Sequence, residues 1–243
     1  MLILAFDTTQ ECGGAGIFRD SECVASAPHA GPPDYSVTLF QEVHSVLEKA
    51  NVQFGDIELY ACVNGPGSFT GIRIGIAAAQ GWGSTFRRPM RGVSLLEAMV
   101  EEAHPETGLA AAIIDAQRGE FYAALFRRVH TGDGSRSGGF DCVSDGLLLK
   151  SEELARFLQS NASEGLTCVA REQDSAACGL QQSFLSSYRW QNVKGYLLPA
   201  IVRVAIRSYE EKRPPAMNEL YAEYIRRPDA ETKFENLSAT AKS

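Results

Sequence analysis

The fold is decided by residues 65–75, which read Gly65-Pro66-Gly67-Ser68-Phe69-Thr70-Gly71-Ile72-Arg73-Ile74-Gly75. Hydrophobic residues 57–63 precede this stretch, and a run rich in alanine and glycine follows it to residue 86. Glycine lets the backbone turn sharply or approach another group closely. The pattern therefore predicts a tight corner between a buried strand and a helix, with Ser68 or Thr70 as the helix N-cap.

Two interpretations of this corner fit the residues equally well. The amide groups at a helix N-terminus attract anions, and Arg73 would add positive charge, which favours a phosphate site. The alternative is a structural corner without a ligand. The spacing is neither the Walker sequence, since the lysine is absent, nor the G-x-G-x-x-G fingerprint. The motif loop under consideration comprises Gly65, Pro66, Gly67, Ser68, Phe69, Thr70, Gly71 and Arg73.

An apolar strand followed by aspartate occurs twice, at residues 2–6 before Asp7 and at residues 110–114 before Asp115. Strands and helices alternate in a similar order after each, which indicates two related α/β lobes rather than one continuous sheet. We place the N-terminal lobe at residues 1–106 and the C-terminal lobe at residues 107–243. The final segment, about residues 215–230, is expected to pack back on the first lobe.

Composition excludes several classes of protein. The 243 residues carry a net charge of −7, which disfavours a nucleic-acid surface built from dense lysine and arginine. The six cysteines include no C-x-x-C pair, which disfavours structural zinc. Most of them lie in apolar or strand-like contexts, which indicates a reducing compartment. No run approaches the ~20 apolar residues that a membrane span needs. We expect a soluble, cytoplasmic protein that does not bind membranes.

The aspartates at the two strand ends are candidate phosphate-facing residues. Asp7, Thr8 and Thr9 form the kind of turn that handles phosphate, although a plain polar turn is the favoured interpretation of such a tripeptide. Asp115 is either a second acid on the phosphate side or half of a surface ion pair with Arg118, and we favour the ion pair. The four histidines show no H-x-x-x-H or H-E-x-x-H spacing, so we expect no metal site.

Two predicted helices, residues 35–50 and 70–86, are candidates for a partner interface. The first has an apolar stripe that includes Leu39 and Phe40, and Ser36 is its expected N-cap. The second has no charged residue from 74 to 86, whereas a solvent-facing helix normally carries charge. It is therefore either enclosed or an interface, and we predict an interface. The candidate interface residues on the two helices are Tyr35, Leu39, Ile74, Ala77, Ala78, Gly81 and Trp82.

Residues 65–75 resemble the signature of the TsaB (YeaZ) family of tRNA threonylcarbamoyladenosine biosynthesis proteins. Four further segments are similar to family segments in the same order, at residues 4–9, 92–96, 112–122 and 224–226. The chain departs from the family at Tyr35-Ser36, where many members have histidine followed by threonine or serine, and in the loop around residues 130–139.

The resemblance implies the two-lobed actin/Hsp70/sugar-kinase (ribonuclease H-like) fold. The chain lacks the metal-binding histidine pair of the related catalytic subunit, TsaD. The resemblance therefore implies a non-catalytic scaffold that dimerises with a TsaD-like subunit. That assembly, joined by a TsaE-like ATPase, transfers threonylcarbamoyl to the adenosine beside the anticodon of ANN-decoding tRNAs. The chain alone is expected to form a homodimer, to reach tRNA only through the complex, and to bind no cofactor firmly, with ATP or ADP at the partner interface.

Two alternatives stay open. An ATP-dependent phosphotransferase or ATPase of the same fold would use Asp7 and Asp115 around ATP. A metalloprotease is the weaker alternative, because the ligand spacing is missing.

Overall fold

The computed structural model describes residues 1–29, 34–129, 139–162, 165–183, 185–213 and 220–226. Four features of the sequence fall wholly or partly outside these ranges: most of the Pro/Gly loop at 28–34, the loop at 130–139 up to residue 138, Pro214-Pro215, and the tail from residue 227. Within the described residues, no helix combines the length and the apolar character that crossing a bilayer requires.

The first sheet has five strands in the order β3-β2-β1-β4-β5. Strand β2 is antiparallel to β1, whereas β4 is parallel to β1 and β5 is parallel to β4. The strands are β1 (Leu2–Asp7), β2 (Gly14–Arg19), β3 (Glu22–Pro28), β4 (Leu59–Gly65) and β5 (Met90–Ser94). The helices between and after them are α1 (Tyr35–Ala50), α2 (Phe69–Phe86) and α3 (Leu95–Ala103), with a 3-10 turn at Phe54–Asp56.

The second sheet has the order β10-β9-β6-β7-β8. When the strands of each half are numbered from its own first strand, the two orders are the same. The predicted two-lobed α/β fold with a topological repeat is therefore confirmed. The strands are β6 (Leu109–Asp115), β7 (Glu120–Arg128), β8 (Phe140–Lys150), β9 (Leu166–Arg171) and β10 (Arg189–Val193). The helices are α4 (Ser151–Ser160), α5 (Ser175–Gln181) and α6 (Leu198–Glu210).

The core has three apolar clusters that lie in layers. Helices α1 and α2 cover the outer face of the first sheet, and α4 and α5 cover the outer face of the second. Helices α3 and α6 lie between the sheets. In β1, Ile3 and Ala5 point into this central layer while Leu4 and Phe6 point outward. Both faces of the strand are buried, which is why its sequence is apolar throughout.

The two central helices are exchanged between the halves of the chain. Helix α6 comes from the second half of the chain but packs on β1, β2, β4 and β5 of the first sheet. Helix α3 comes from the first half but packs on all five strands of the second sheet. Arg207 of α6 joins them through ion pairs with Glu97 at 3.1 Å and Glu101 at 2.9 Å. The central layer therefore belongs to both lobes.

Two helix ends differ from the sequence predictions and one agrees. Helix α1 begins at Tyr35 after Asp34, and Ser36 instead donates its hydroxyl to Asp34 Oδ1 at 2.6 Å, so the prediction of Ser36 as N-cap is wrong. The sequence after Gly92 predicts a helix that opens at Val93 and Ser94, but Val93 belongs to β5 and α3 begins at Leu95. Ser68 is the N-cap of α2, as predicted: its Oγ accepts from the Gly71 amide at 3.2 Å.

Candidate functional site

A cleft of ≈ 790 Å³ lies between the lobes. Its first-lobe wall is formed by residues after β1 and by the corner that leads into α2. Its second-lobe wall is formed by the turn between β6 and β7 and by the start of α5. Residues 220–226, here called the strap, supply a further wall through Glu223, Tyr224, Ile225 and Arg226.

Asp7 ends β1 and is 1% exposed. Its Oδ1 accepts from the Thr9 amide at 2.8 Å and from the Thr9 hydroxyl at 2.7 Å, and its Oδ2 accepts from Gln10 Nε2 at 2.5 Å. Burial raises the pKa of the Asp7 carboxyl, opposed by these hydrogen bonds and by the positive charge of Arg171. The carboxylate thus stabilises its own turn.

The glycines of residues 65–75 allow α2 to approach that turn. The Thr8 hydroxyl donates to the Gly71 carbonyl at 2.7 Å, and a Cβ at Gly71 would overlap the Thr8 carbonyl oxygen. A Cβ at Gly75 would lie 2.6 Å from Thr8 Oγ1, and one at Gly67 would lie 2.6 Å from Thr9 Cβ. The close approach at these three glycines is to the protein itself, while Pro66, Gly67, Ser68 and Phe69 line the cleft.

The predicted phosphate-facing residues are therefore divided. Thr9 and Asp115 line the cleft, whereas Asp7 and Thr8 do not: the Asp7 carboxylate bonds to Thr9 and Gln10, and the Thr8 hydroxyl bonds to Gly71 of α2. The phosphate-facing role of these four residues stays a prediction.

The second-lobe wall uses an acid that the sequence analysis missed. Asp174 is buried and accepts from the Ala177 amide at 2.9 Å, which caps α5, and from the Asp115 amide at 2.6 Å. The Asp115 carboxylate accepts from the amide and side chain of Gln117 at 2.8 and 3.0 Å. The available signal was an aspartate followed by serine shortly after a strand, the usual composition of an N-cap.

One rim of the cleft is bridged by Gln10. Its Nε2 donates to Asp7 in the first lobe, and its Oε1 accepts from Arg171 at the end of β9 in the second. Beside it, Gln173 Nε2 donates to Cys12 Sγ at 3.2 Å. These pairs join residues 161 positions apart, so the sequence carried no local signal for them.

Helices α1 and α2 present an apolar face to solvent. Val37 and Phe40 are each 56% exposed, and the Phe40 ring lies 5.8 Å from that of Trp82. Ala77 and Gly81 are exposed beside them, and Ile74 is half-buried. We call these six residues the apolar face: Val37, Phe40, Ile74, Ala77, Gly81 and Trp82.

Three of the predicted interface residues do not belong to this face. Tyr35, Leu39 and Ala78 are 3%, 0% and 9% exposed, because they pack inward against the first sheet. Phe40, assigned to the buried stripe of α1, instead points outward. A contiguous exposed apolar patch on a folded chain typically marks an interaction site.

Within the part of the chain that the structure describes, no group of three or more histidine, cysteine, aspartate or glutamate side chains is placed to hold a metal ion. His29 lies buried against Glu42, with 2.5 Å between Nδ1 and Oε1.

Comparisons with known proteins give a consistent family. A model of the family described as "TsaD: tRNA N6-adenosine threonylcarbamoyltransferase" matches residues 27–230. The protein TsaB of Bacillus subtilis, named for tRNA threonylcarbamoyladenosine biosynthesis, is 32% identical over 127 residues, covering 52% of this chain and 56% of the relative. TsaB of Escherichia coli is 36% identical over 134 residues, covering 54% and 58%. The chain thus spans little more than half the length of these curated relatives.

Two solved structures share the fold. YeaZ from Pseudomonas aeruginosa has a TM-score of 0.71 at 20% identity, covering 92% of this chain and 99% of that one. A Pseudomonas aeruginosa protein described as similar to peptidase YEAZ has a TM-score of 0.72 at 21% identity, covering 93% and 99%. At these identities the likeness establishes the fold alone.

Proposed function

Since this chain belongs to the family described as TsaD, tRNA N6-adenosine threonylcarbamoyltransferase, and is similar to TsaB proteins over about half of its length, we propose that it takes part in threonylcarbamoylation of tRNA adenosine. Its role there is that of a non-catalytic scaffold that docks on a TsaD-like catalytic subunit.

The apolar face carries this proposal. Two large side chains, Val37 and Phe40, stand more than half exposed beside a helix that has no charge from residue 74 to residue 86. Covering such a surface removes apolar area from water, which favours association. In the absence of the partner, a second copy of the chain covers the same face and gives a homodimer.

The charge of the chain supports an indirect role toward tRNA. A net charge of −7 opposes the phosphate backbone, so tRNA is bound through the complex rather than by this chain alone. A TsaE-like ATPase is the further expected member of the assembly. ATP or ADP at the partner interface stays a prediction, which nucleotide titration of the assembled complex would test.

A phosphotransferase is less well supported by the cleft. Such an enzyme would need Asp7 free to act on a bound phosphate or its cation. The oxygens of that carboxylate instead accept hydrogen bonds from Thr9 and Gln10, and its side chain does not line the cleft.

The experiment compares two exposed helical glycines, Gly81 in α2 and Gly179 in α5. A Cβ at either position would meet nothing within 4 Å, so either accepts a glutamate sterically. Gly81→Glu places an unpaired charge in the apolar face, and we expect it to weaken binding to the TsaD-like subunit about a hundredfold or more. tRNA modification by the reconstituted complex should fall with it, while Gly179→Glu should preserve both.

The scaffold proposal fails if the complex containing Gly81→Glu forms and modifies tRNA like the wild type. Sedimentation of the chain alone tests the homodimer in the same pair of variants. Glutamate at Ala78 or Ala79 is unsuitable, because both lie in the core beneath the apolar face.

A further inference from the structure

The strap is fixed to the first lobe mainly through its backbone. Gln80 Nε2 donates to the Leu220 carbonyl at 3.1 Å, and the Leu220 side chain is buried in the outer cluster of the first sheet. Asn64 Nδ2 donates to the Tyr221 carbonyl at 3.1 Å, and the Glu223 amide donates to the Asn64 carbonyl at 2.8 Å. Several separate residues therefore hold this end.

The middle of the strap continues along the first lobe at the cleft. The Tyr224 hydroxyl accepts from Arg73 Nε at 3.1 Å, and the Tyr224 ring lies 4.9 Å from that of Phe69. The Arg73 guanidinium lies 3.8 Å from the centre of the Phe69 ring, so these three side chains form one stack.

The end of the strap crosses to the second lobe, where Arg226 is its polar anchor. Arg226 Nη1 donates to the Ala116 carbonyl at 2.7 Å, and Nη2 donates to Glu120 Oε2 at 2.5 Å and to the Gln117 carbonyl at 3.4 Å. Ile225 adds an apolar contact beside Gly146 of β8. One guanidinium thus carries bonds to three residues around the β6–β7 turn.

That turn has a backbone that needs support. Gln117, Arg118 and Gly119 have φ values of 65°, 63° and 74°, so three successive residues are left-handed and two of them carry a Cβ. Left-handed backbone is unfavourable for residues other than glycine and persists where the surroundings hold it. Here the support comes from the Asp115 carboxylate on one side and Arg226 on the other.

We propose that Arg226 is a latch that closes this rim of the cleft. While its guanidinium holds the β6–β7 turn, the strap ties the lobes together. When it leaves, the strap stays on the first lobe and the cleft opens on this side, while the Gln10–Arg171 and Cys12–Gln173 contacts keep the opposite rim joined. The latch is independent of the proposed role in tRNA modification, because it rests on contacts within this chain.

Hydrogen exchange of the full-length chain, read by mass spectrometry, tests the latch. Arg226→Gln removes the positive charge and the guanidinium N–H donors. Glu120→Gln leaves Arg226 in place and removes only its carboxylate partner. The matched control is Arg203→Gln, which breaks ion pairs with Glu101 and Glu102 in the central layer.

We expect amides of residues 115–120 and 225–226 to exchange on the order of tenfold faster in Arg226→Gln, and a few-fold faster in Glu120→Gln. Residues 59–65 and 69–86, which hold the other end of the strap, should exchange as in the wild type. Arg203→Gln should leave residues 115–120 unchanged.

Two results would overturn the latch. One is unchanged exchange at residues 115–120 in both latch variants. The other is an equal increase in exchange at residues 115–120 and at residues 59–65 and 69–86, which would mean that Arg226 stabilises the whole protein rather than this rim of the cleft. If Arg226→Gln does not fold, Glu120→Gln decides between the same outcomes.

Discussion

The turns after β1 and β6 occupy equivalent places in the two sheets, and each follows a strand that ends in aspartate. Asp7 is sealed beneath α2 and bonds within its own turn, whereas Asp115 lines the cleft and bonds to Gln117. The difference arises because α2 packs closely on the turn after β1, where Gly71 and Gly75 lie against Thr8. The equivalence of the strands therefore extends to topology and not to the chemistry of the turns.

The outer helices of the lobes differ in the same sense. Helices α1 and α2 leave the apolar face uncovered, while α4 begins with Ser151-Glu152-Glu153 and carries Arg156, so its solvent side is charged. Association is thus expected through the first lobe.

The largest expected effect distinguishes a glycine of α2 that packs against the turn after β1 from an exposed glycine of α5. Gly71→Ala would force a methyl group onto the Thr8 carbonyl oxygen, so we expect it to lower the free energy of unfolding by about 3 kcal/mol or more. Gly179→Ala, where nothing lies within 4 Å, should raise it by about 0.5–1 kcal/mol. Urea denaturation measures both. Similar losses in the two variants would remove the distinction between α2 and α5.

The next effect separates the two aspartates. Asp7→Ala leaves the buried amide and hydroxyl of Thr9 without their acceptor and removes one of the two acceptors of Gln10 Nε2, so we expect a loss of about 2 kcal/mol in the free energy of unfolding. Asp115→Ala removes two solvent-exposed hydrogen bonds from Gln117 at the edge of the cleft and should cost about 1 kcal/mol. Thermal and urea unfolding would contradict this if Asp115→Ala were the more damaging change.

A smaller effect depends on pH. Because burial raises the pKa of Asp7 above its ordinary 3.8, the folded state binds the proton more tightly than the unfolded state. The resulting stabilisation is complete below pH 3.8 and is lost as pH rises through the folded pKa. Relative to Asp7→Asn, which cannot ionise, the wild type should lose about 1.4 kcal/mol for each unit of pKa elevation.

Urea unfolding of both proteins across this pH range measures the difference. The raised pKa would be contradicted if the difference in free energy of unfolding between the wild type and Asp7→Asn stayed constant with pH, or if the wild type became relatively more stable as pH rises.

The smallest effect on stability concerns the two exposed surfaces. Phe40→Ser in the apolar face and Val143→Ser in β8 should each change the free energy of unfolding by no more than about 0.5 kcal/mol, since both side chains are largely exposed. Only Phe40→Ser should weaken self-association, by about tenfold in sedimentation equilibrium. Equal association in the two variants would show that the first lobe has no special surface.

Much of the fold was predictable because its signals are local. The apolar run of residues 2–6 is long enough to indicate a buried strand, and Ser68 before a helix indicates an N-cap. Helix α5 and strand β10 were missed, since they have only 7 and 5 residues and little apolar periodicity.

The candidate site was less predictable. Leu39 and Phe40 are adjacent and both apolar, yet one is buried and the other is exposed. Which of them faces solvent depends on how far α1 is rotated on the sheet, and hydrophobicity does not record that rotation. For the same reason the glycines of residues 65–75 suit a ligand and a protein neighbour equally by sequence alone. In the structure Gly71 and Gly75 lie against Thr8, and Gly67 lies against Thr9.

By itself the sequence determined the two-lobed repeat, the tight corner before α2 and the uncharged helix that follows, because each depends on residues close together along the chain. Only the tertiary structure decided the exchange of α3 and α6, the Gln10–Arg171 bridge and the hold of Arg226 on the β6–β7 turn. These contacts join residues about 100 or more positions apart, and the packing of whole layers brings them together.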